Sequence, residues 1–222
     1  MITADGAPPT AGAPFPPCPD IAAVILAAGR SSRMGTSKPR LKVGGTTLLE
    51  RVTAVARNAG VEDIIIVLGQ EAELPPPEPA GKNLRVVVNP HSDRGMFSSV
   101  QTGVRNLPPG CRAFFVMPVD IPFIRPSTLV QLHTASLAPG TLVCRPRYQG
   151  RRGHPPLLAA VLVPELLAYD GAGGLRALLA RFEEKTRNVD VDDPGTLIDL
   201  DTPADIAAYG RPSPPGRQTT AG

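Results

Sequence analysis

Val24 to Lys38 reads VILAAGRSSRMGTSK, a short apolar run that passes into a loop of glycine, serine and positive charge. Val24, Ile25 and Leu26 suit a buried strand, and Gly29 turns the chain out of the sheet at once. Ser31, Ser32, Arg33 and Lys38 add donors and charge, while Gly29 and Gly35 leave backbone N–H groups open. A loop of this kind at a strand end supplies what a polyphosphate needs. A strand followed by an ordinary basic surface loop uses the same residue types, so the rest of the chain has to decide.

Beyond this loop, Thr47 and Glu50 form a T-x-x-E capping box for a helix whose apolar face carries Leu48, Val52, Val55, Ala56 and Ala59, with Gly60 as its stop. Asp63 to Leu68 is a continuous apolar run, the mark of a central parallel strand. Strands at Leu84–Val88 and Ala113–Met117 follow, the first leading to a helix that starts near Ser98. Asp120 lies in PVDIP, where Pro118 and Pro122 prevent an orderly helix start and hold the carboxylate in a stiff loop. Further on, the pattern predicts a helix over 127–133, strands near 142–145 and 187–191, and short helices near 165–169 and 175–183. A last helix is capped at Thr202 with Pro203 at its first position.

Alternating strands and helices imply an α/β fold, a Rossmann-like, doubly wound and mostly parallel sheet with right-handed crossovers. Ligands of such sheets bind beyond the carboxyl ends of the strands. The loops holding Lys38, Gln70, Ser99 and Asp120 are therefore expected to converge on one edge.

The 222 residues suffice for one substantial domain, and the 42% hydrophobic content supports a packed core. Thirteen of the 27 prolines fall in likely tails or one long loop: six precede Asp20, four lie between Pro75 and Pro79, and three follow Arg211. This places a single domain at 20–210 between disordered tails at 1–19 and 211–222. A net charge of +3, with no long Lys/Arg run, argues against nucleic acid as a partner. Three widely spaced cysteines without a C-x-x-C pair make neither a disulfide framework nor a zinc site. No apolar run reaches the roughly 20 residues that span a bilayer, and the N-terminus lacks the pattern of a signal peptide. A cytoplasmic protein without membrane contact is the expectation.

The first loop carries neither common phosphate motif, G-x-x-x-x-G-K-[ST] or G-x-G-x-x-G. Leu26-Ala27-Ala28-Gly29, Ser31, Arg33-Met34-Gly35 and Lys38 instead resemble the L-A-A-G-x-S-x-R-M-G-x-x-K motif of molybdenum cofactor cytidylyltransferase-type nucleotidyltransferases, relatives of the molybdopterin guanylyltransferases. The likeness continues through GMFSSVQTGV, PVDIP, GRRGHPPLL, GGLRALL and DLDTPAD, roughly residues 21 to 208. It implies the nucleotide-diphospho-sugar transferase-like fold and transfer of CMP from CTP to the phosphate of molybdopterin, with release of pyrophosphate. A sugar- or polyol-phosphate acceptor is the alternative within the same chemistry. A non-catalytic carrier that serves a molybdoenzyme is the alternative outside it.

The resemblance assigns roles residue by residue. Arg33 and Lys38 are the catalytic cations that neutralise the leaving pyrophosphate. Leu26, Ala27, Ala28, Gly29, Ser31 and Gly35 line the nucleotide, with Ser98 and Ser99 at its base or ribose, and alanine at position 28 accompanies CTP use. Asp120 and Asp201 ligate Mg²⁺. His154 and Arg152, or its neighbour Arg151, face the acceptor. In-line displacement needs positioning and charge neutralisation more than a base, because the acceptor phosphate is already ionised near neutral pH.

Overall fold

The computed structural model describes residues 15–29, 38–70 and 83–209. In chain order its elements are β1 (Ile21–Ala27), β2 (Lys42–Val43), β3 (Thr46–Thr47), α1 (Leu48–Asn58), β4 (Asp63–Gly69), β5 (Leu84–Asn89), α2 (Met96–Val104) and β6 (Ala113–Pro118). There follow α3 (Pro126–Ser136), β7 (Val143–Tyr148), β8 (Arg151–Arg152), β9 (Leu157–Ala159), α4 (Val163–Ala168), α5 (Gly174–Ala180), β10 (Thr186–Asp190) and α6 (Pro203–Tyr209).

β1 is central because all seven of its residues are buried. Ile21, Ala23, Ile25 and Ala27 enter the apolar layer shared with α1 and α3. Ala22, Val24 and Leu26 enter the layer shared with α2, α4 and α5. Two-sided burial of this kind is why the strand reads as an unbroken apolar run. The sheet order is β10-β7-β9-β6-β1-β4-β5, with β8 hairpinned onto β7. β5, β4, β1 and β6 are mutually parallel, as expected, and β10 runs parallel to β7. β9 is reversed, antiparallel to both β6 and β7. A reversed strand brings the loop that precedes it, Gly153 to Pro156, to the edge that the other strands reach with the loops that follow them.

Local chemistry fixes the helices. In α1 the Thr47 hydroxyl accepts from the Glu50 N–H at 3.2 Å, and Glu50 Oε2 accepts from the Thr47 N–H at 2.8 Å. α2 lies close against β1 because it presents Gly103 there: a Cβ at that position would meet Val24 Cγ1 at 2.2 Å. α3 starts at Pro126, whose ring suits the first helical turn, and a buried carboxylate supports that start. Asp193, 2% exposed, accepts from the Arg125 N–H at 2.8 Å and from the Thr128 hydroxyl at 2.6 Å.

Three differences from the sequence reading have physical causes. β8 and β9 are two and three residues long, too short for periodicity to register. Helix α2 begins at Met96, two residues ahead of Ser98, after Gly95 at φ +89°. Phe15 to Pro19, given to the tail on composition, lie along the end of α1: the Phe15 N–H donates to Asn58 at 3.1 Å and the Cys18 N–H to Gly60 at 2.8 Å. Backbone pairing holds a segment that has little apolar surface to bury. The remainder of both tails and the prolines at 75–79 lie outside the described residues, and among those described no helix is long and apolar enough to cross a membrane.

Candidate active site

The ends of β1 and β6 are joined by the Val119 N–H, which donates to Leu26 at 3.1 Å. The Leu200 N–H then donates to the Asp120 carbonyl at 2.9 Å, which brings the chain before α6 against the β6 loop. Asp201 thus arrives beside Asp120 by backbone pairing. Lys38, at the start of a single 3-10 turn over Lys38–Arg40, reaches both: Nζ is 2.9 Å from Asp120 Oδ2 and 2.5 Å from Asp201 Oδ1. The Lys38 and Asp120 side chains are only 15% and 17% exposed, against 63% for Asp201. Burial acts to lower the Lys38 pKa, but its hydrogen bonds and charge interactions with the two carboxylates outweigh it, so the ammonium is held more firmly than usual.

Asp199 completes the cluster. Carboxylate oxygens of Asp120, Asp199 and Asp201 lie within 4.8 Å of one another. Partial burial, then the charges of Asp120 and Asp201, push the Asp199 carboxyl up to about 6. Three oxygen donors crowded beside the Lys38 ammonium are the donor set of a hard divalent cation, which takes carboxylates together with phosphate oxygens and water.

At the end of β1, Leu26 and Ala27 close the buried strand, Ala28 is half-buried and Gly29 is exposed. Ala28 sits near Gly69 at the end of β4, where a Cβ would come within 3.2 Å of the Ala28 carbonyl. Arg33, Ser31 and Gly35 lie outside the described residues. Ser98 and Ser99 both accept from Asn89 Nδ2, at 2.8 and 3.0 Å, and Ser99 is 3% exposed. The Ser98 hydroxyl also reaches the His91 and Gly95 carbonyls, both at 2.8 Å. In this state the two hydroxyls tie the end of β5 to the start of α2.

Next to this edge opens a cavity of about 760 Å³, walled by β1, α2, β7, the loop before β9 and the start of α5. His154 and Arg152 both line it. The His154 N–H donates to the Thr196 carbonyl at 2.9 Å, and Gly153 fits there only because it lacks a side chain, since a Cβ would lie 2.6 Å from that carbonyl. His154 is exposed, and it lines the cavity. Burial, then the Arg145 guanidinium, lower its pKa against an opposing pull from Asp120. Arg152 turns toward β10: it donates to Asn188 Oδ1 at 2.8 Å and pairs with Glu183. Arg151 is exposed.

Residues beyond the sequence reading contribute to this edge. Asn89 is legible only as a strand end, Asp199 reads equally well as a loop carboxylate, and Arg145 reads as one residue of a strand. The alternation of Val143, Cys144 and Arg145 places a charge mid-strand, which is the available signal that something polar lies on that face.

A Rossmann-like sheet with its charged residues gathered at the strand ends has the architecture of the nucleotide-diphospho-sugar transferase fold. The profile of the MobA-like NTP transferase domain matches residues 23–188, and the chain belongs to that family. It is 34% identical over 187 residues to the molybdenum cofactor guanylyltransferase of Rhizobium meliloti, covering 78% of each chain. It is 30% identical over 198 residues to the nicotine blue oxidoreductase of Paenarthrobacter nicotinovorans, covering 83% of this chain and 93% of that one. Among solved structures, Rv0371c of Mycobacterium tuberculosis superposes with a TM-score of 0.73 at 29% identity, over 85% of this chain and 97% of that one. A second structure of that protein, in complex with manganese, gives a TM-score of 0.68 at 27% identity over 86% and 98%. The chain spans about a quarter of the length of the bifunctional proteins among its curated relatives.

Proposed function

We propose that the protein is a nucleotidyltransferase that moves CMP from CTP onto the phosphate of a molybdopterin-type acceptor, and that it does so in the cytoplasm. The observation that carries the reading is the Lys38–Asp120–Asp201 contact beside a cavity large enough for a second substrate. Family membership and the guanylyltransferase relative support phosphate chemistry, and Ala28 in L-A-A-G supports CTP over GTP.

In the proposed reaction an acceptor phosphate oxygen attacks the α-phosphorus of CTP. The bond to the bridging oxygen breaks, and pyrophosphate leaves with the electron pair. Asp120 and Asp201, with Asp199, would hold Mg²⁺, which when bound neutralises phosphate charge as a Lewis acid; that a similar protein, Rv0371c, forms a complex with manganese supports a divalent ion. Lys38 supplies fixed positive charge at the same edge, and we assign Arg33 the same task. The open backbone at Gly29 lets a phosphate approach the strand end. His154, held by Thr196, faces the acceptor with its neutral ring.

The cavity favours this acceptor over a sugar or polyol phosphate. Among the described residues that line it, none has a hydroxyl, carboxylate or side-chain amide with which to read sugar hydroxyls. A molybdoenzyme as recipient of the product follows from the same reading. Pyrophosphate release measured with four NTPs, Mg²⁺ and either molybdopterin or sugar phosphates tests it. CTP with molybdopterin is the expected pair, and absence of release with every combination would falsify the transferase.

A further inference from the structure

The cavity wall holds an arginine whose neighbours are accounted for and which itself is not. Arg147 and Arg152, on either side of the β7–β8 hairpin, are each matched to a carboxylate: Arg147 Nε lies 2.6 Å from Asp190, and Arg152 pairs with Glu183. Arg145 is half-buried and lines the cavity, and among the described residues it makes neither a hydrogen bond nor an ion pair. Its charge is raised in free energy by burial and by Arg152 and Arg176 nearby, which is why its pKa is lowered despite Glu183. A guanidinium kept half out of water without a partner costs stability, and the fold retains it on a strand rather than on a movable loop.

The surroundings restrict what it receives. His154 shares this wall with Arg145 and also feels the charge of Asp120, so the cavity wall and the carboxylate cluster meet around one imidazole. The rest of the wall is apolar, with Leu26, Phe97, Val116, Pro118 and Leu175. Arg94 and Arg176 stand at the rim, both exposed.

We propose that Arg145 receives the attacking anionic group of the acceptor, and that this acceptor is an anion with a flat or apolar body poor in hydroxyls. The inference rests on the transferase reading for the word acceptor, but the binding site it describes stands on the cavity alone. Arg145 forms charge-assisted hydrogen bonds to the phosphate, and the apolar wall covers the body of the ligand.

The test is a calorimetric titration of the full chain with two probes, a pterin carrying a phosphate monoester and glucose 1-phosphate. The pterin phosphate is expected to bind at least tenfold more tightly, roughly the effect of covering an apolar body in place of burying unmatched hydroxyls. Arg145→Met is expected to weaken it roughly ten- to hundred-fold, the size of a lost charge-assisted hydrogen bond. Arg145→Lys should recover part of the loss, and Arg145→Gln replaces the methionine variant should that one not fold. Equal binding by wild type and Arg145→Met, a preference for glucose 1-phosphate, or no binding of either probe overturns the assignment. Pyrophosphate release separates it from the parent reading: pterin phosphate bound through Arg145 without turnover leaves the pocket standing and removes the transferase.

Discussion

The backbone N–H of Leu200 donates to the carbonyl of Asp120 at 2.9 Å, and this bond brings a carboxylate from the middle of the domain beside one from its C-terminal end. Because it is a main-chain bond, substitutions of the aspartate side chains leave it in place. The chemistry of the pair is therefore testable apart from its assembly.

Asp120→Asn and Asp201→Asn remove one negative charge each without changing shape. Turnover should fall by about two orders of magnitude or more, the scale of a lost transition-state contact, while CTP affinity stays within a few-fold. Steady-state pyrophosphate release and equilibrium binding on the same preparations decide it. If both variants retain most of the wild-type rate, the cluster is not where the reaction occurs.

Lys38 and a divalent cation compete for the same oxygens. Replacing Lys38 with methionine should raise the affinity for Mn²⁺, by roughly tenfold for one removed ammonium at short range, and lower turnover because the triphosphate loses a counter-charge. Titration of the metal by electron paramagnetic resonance reads the first effect. Weaker metal binding in Lys38→Met would show that the lysine orders the carboxylates instead of competing for them. Chelation of divalent ions should abolish turnover of the wild type.

His154 gives a pH dependence whose sign follows from its lowered pKa. The folded protein resists protonating this ring, whereas the unfolded chain takes a proton near the ordinary value of about 6.5. The stability it contributes is intact above that value and is lost as the pH falls through the lower folded one. Melting temperatures of wild type and His154→Gln should differ little at about pH 7 and diverge in favour of the variant near pH 5. Parallel curves would remove His154 from the account.

Asp193 anchors the segment whose Thr196 carbonyl holds His154. Asp193→Ala leaves the Arg125 N–H and the Thr128 hydroxyl without their acceptor in a buried position. Urea denaturation should show a loss of about 2–4 kcal/mol, and the acceptor KM should rise more than that of the nucleotide. A nucleotide KM that rises equally would mean the damage is global.

β1, β4 and β6 were legible because strands buried on both faces leave continuous apolar runs, and the Thr47–Glu50 box because capping is local chemistry. β9 was not, since Leu157 to Ala159 gains its strand character from the partners on either side. Asp120 and Asp201 stand 81 positions apart in the sequence, and only the family motif joined them before the structure did. Lys38 was expected on the same edge as Asp120 and is found within hydrogen-bonding distance of both Asp120 and Asp201. Arg145 shows the limit of pattern reading: alternation says which face a side chain takes, and nothing about whether that face is packed or hollow.

The reversed strand β9 also acts as a spacer. Adjacent strands sit about 4.8 Å apart, so β7 stands roughly 10 Å from β6 instead of touching it. That gap is about the thickness of two stacked rings with their contacts. A sheet parallel throughout would have brought the β6 and β7 loops into contact; with a strand inserted backwards between them, the two loops stand apart and the loop before β9 comes up between them.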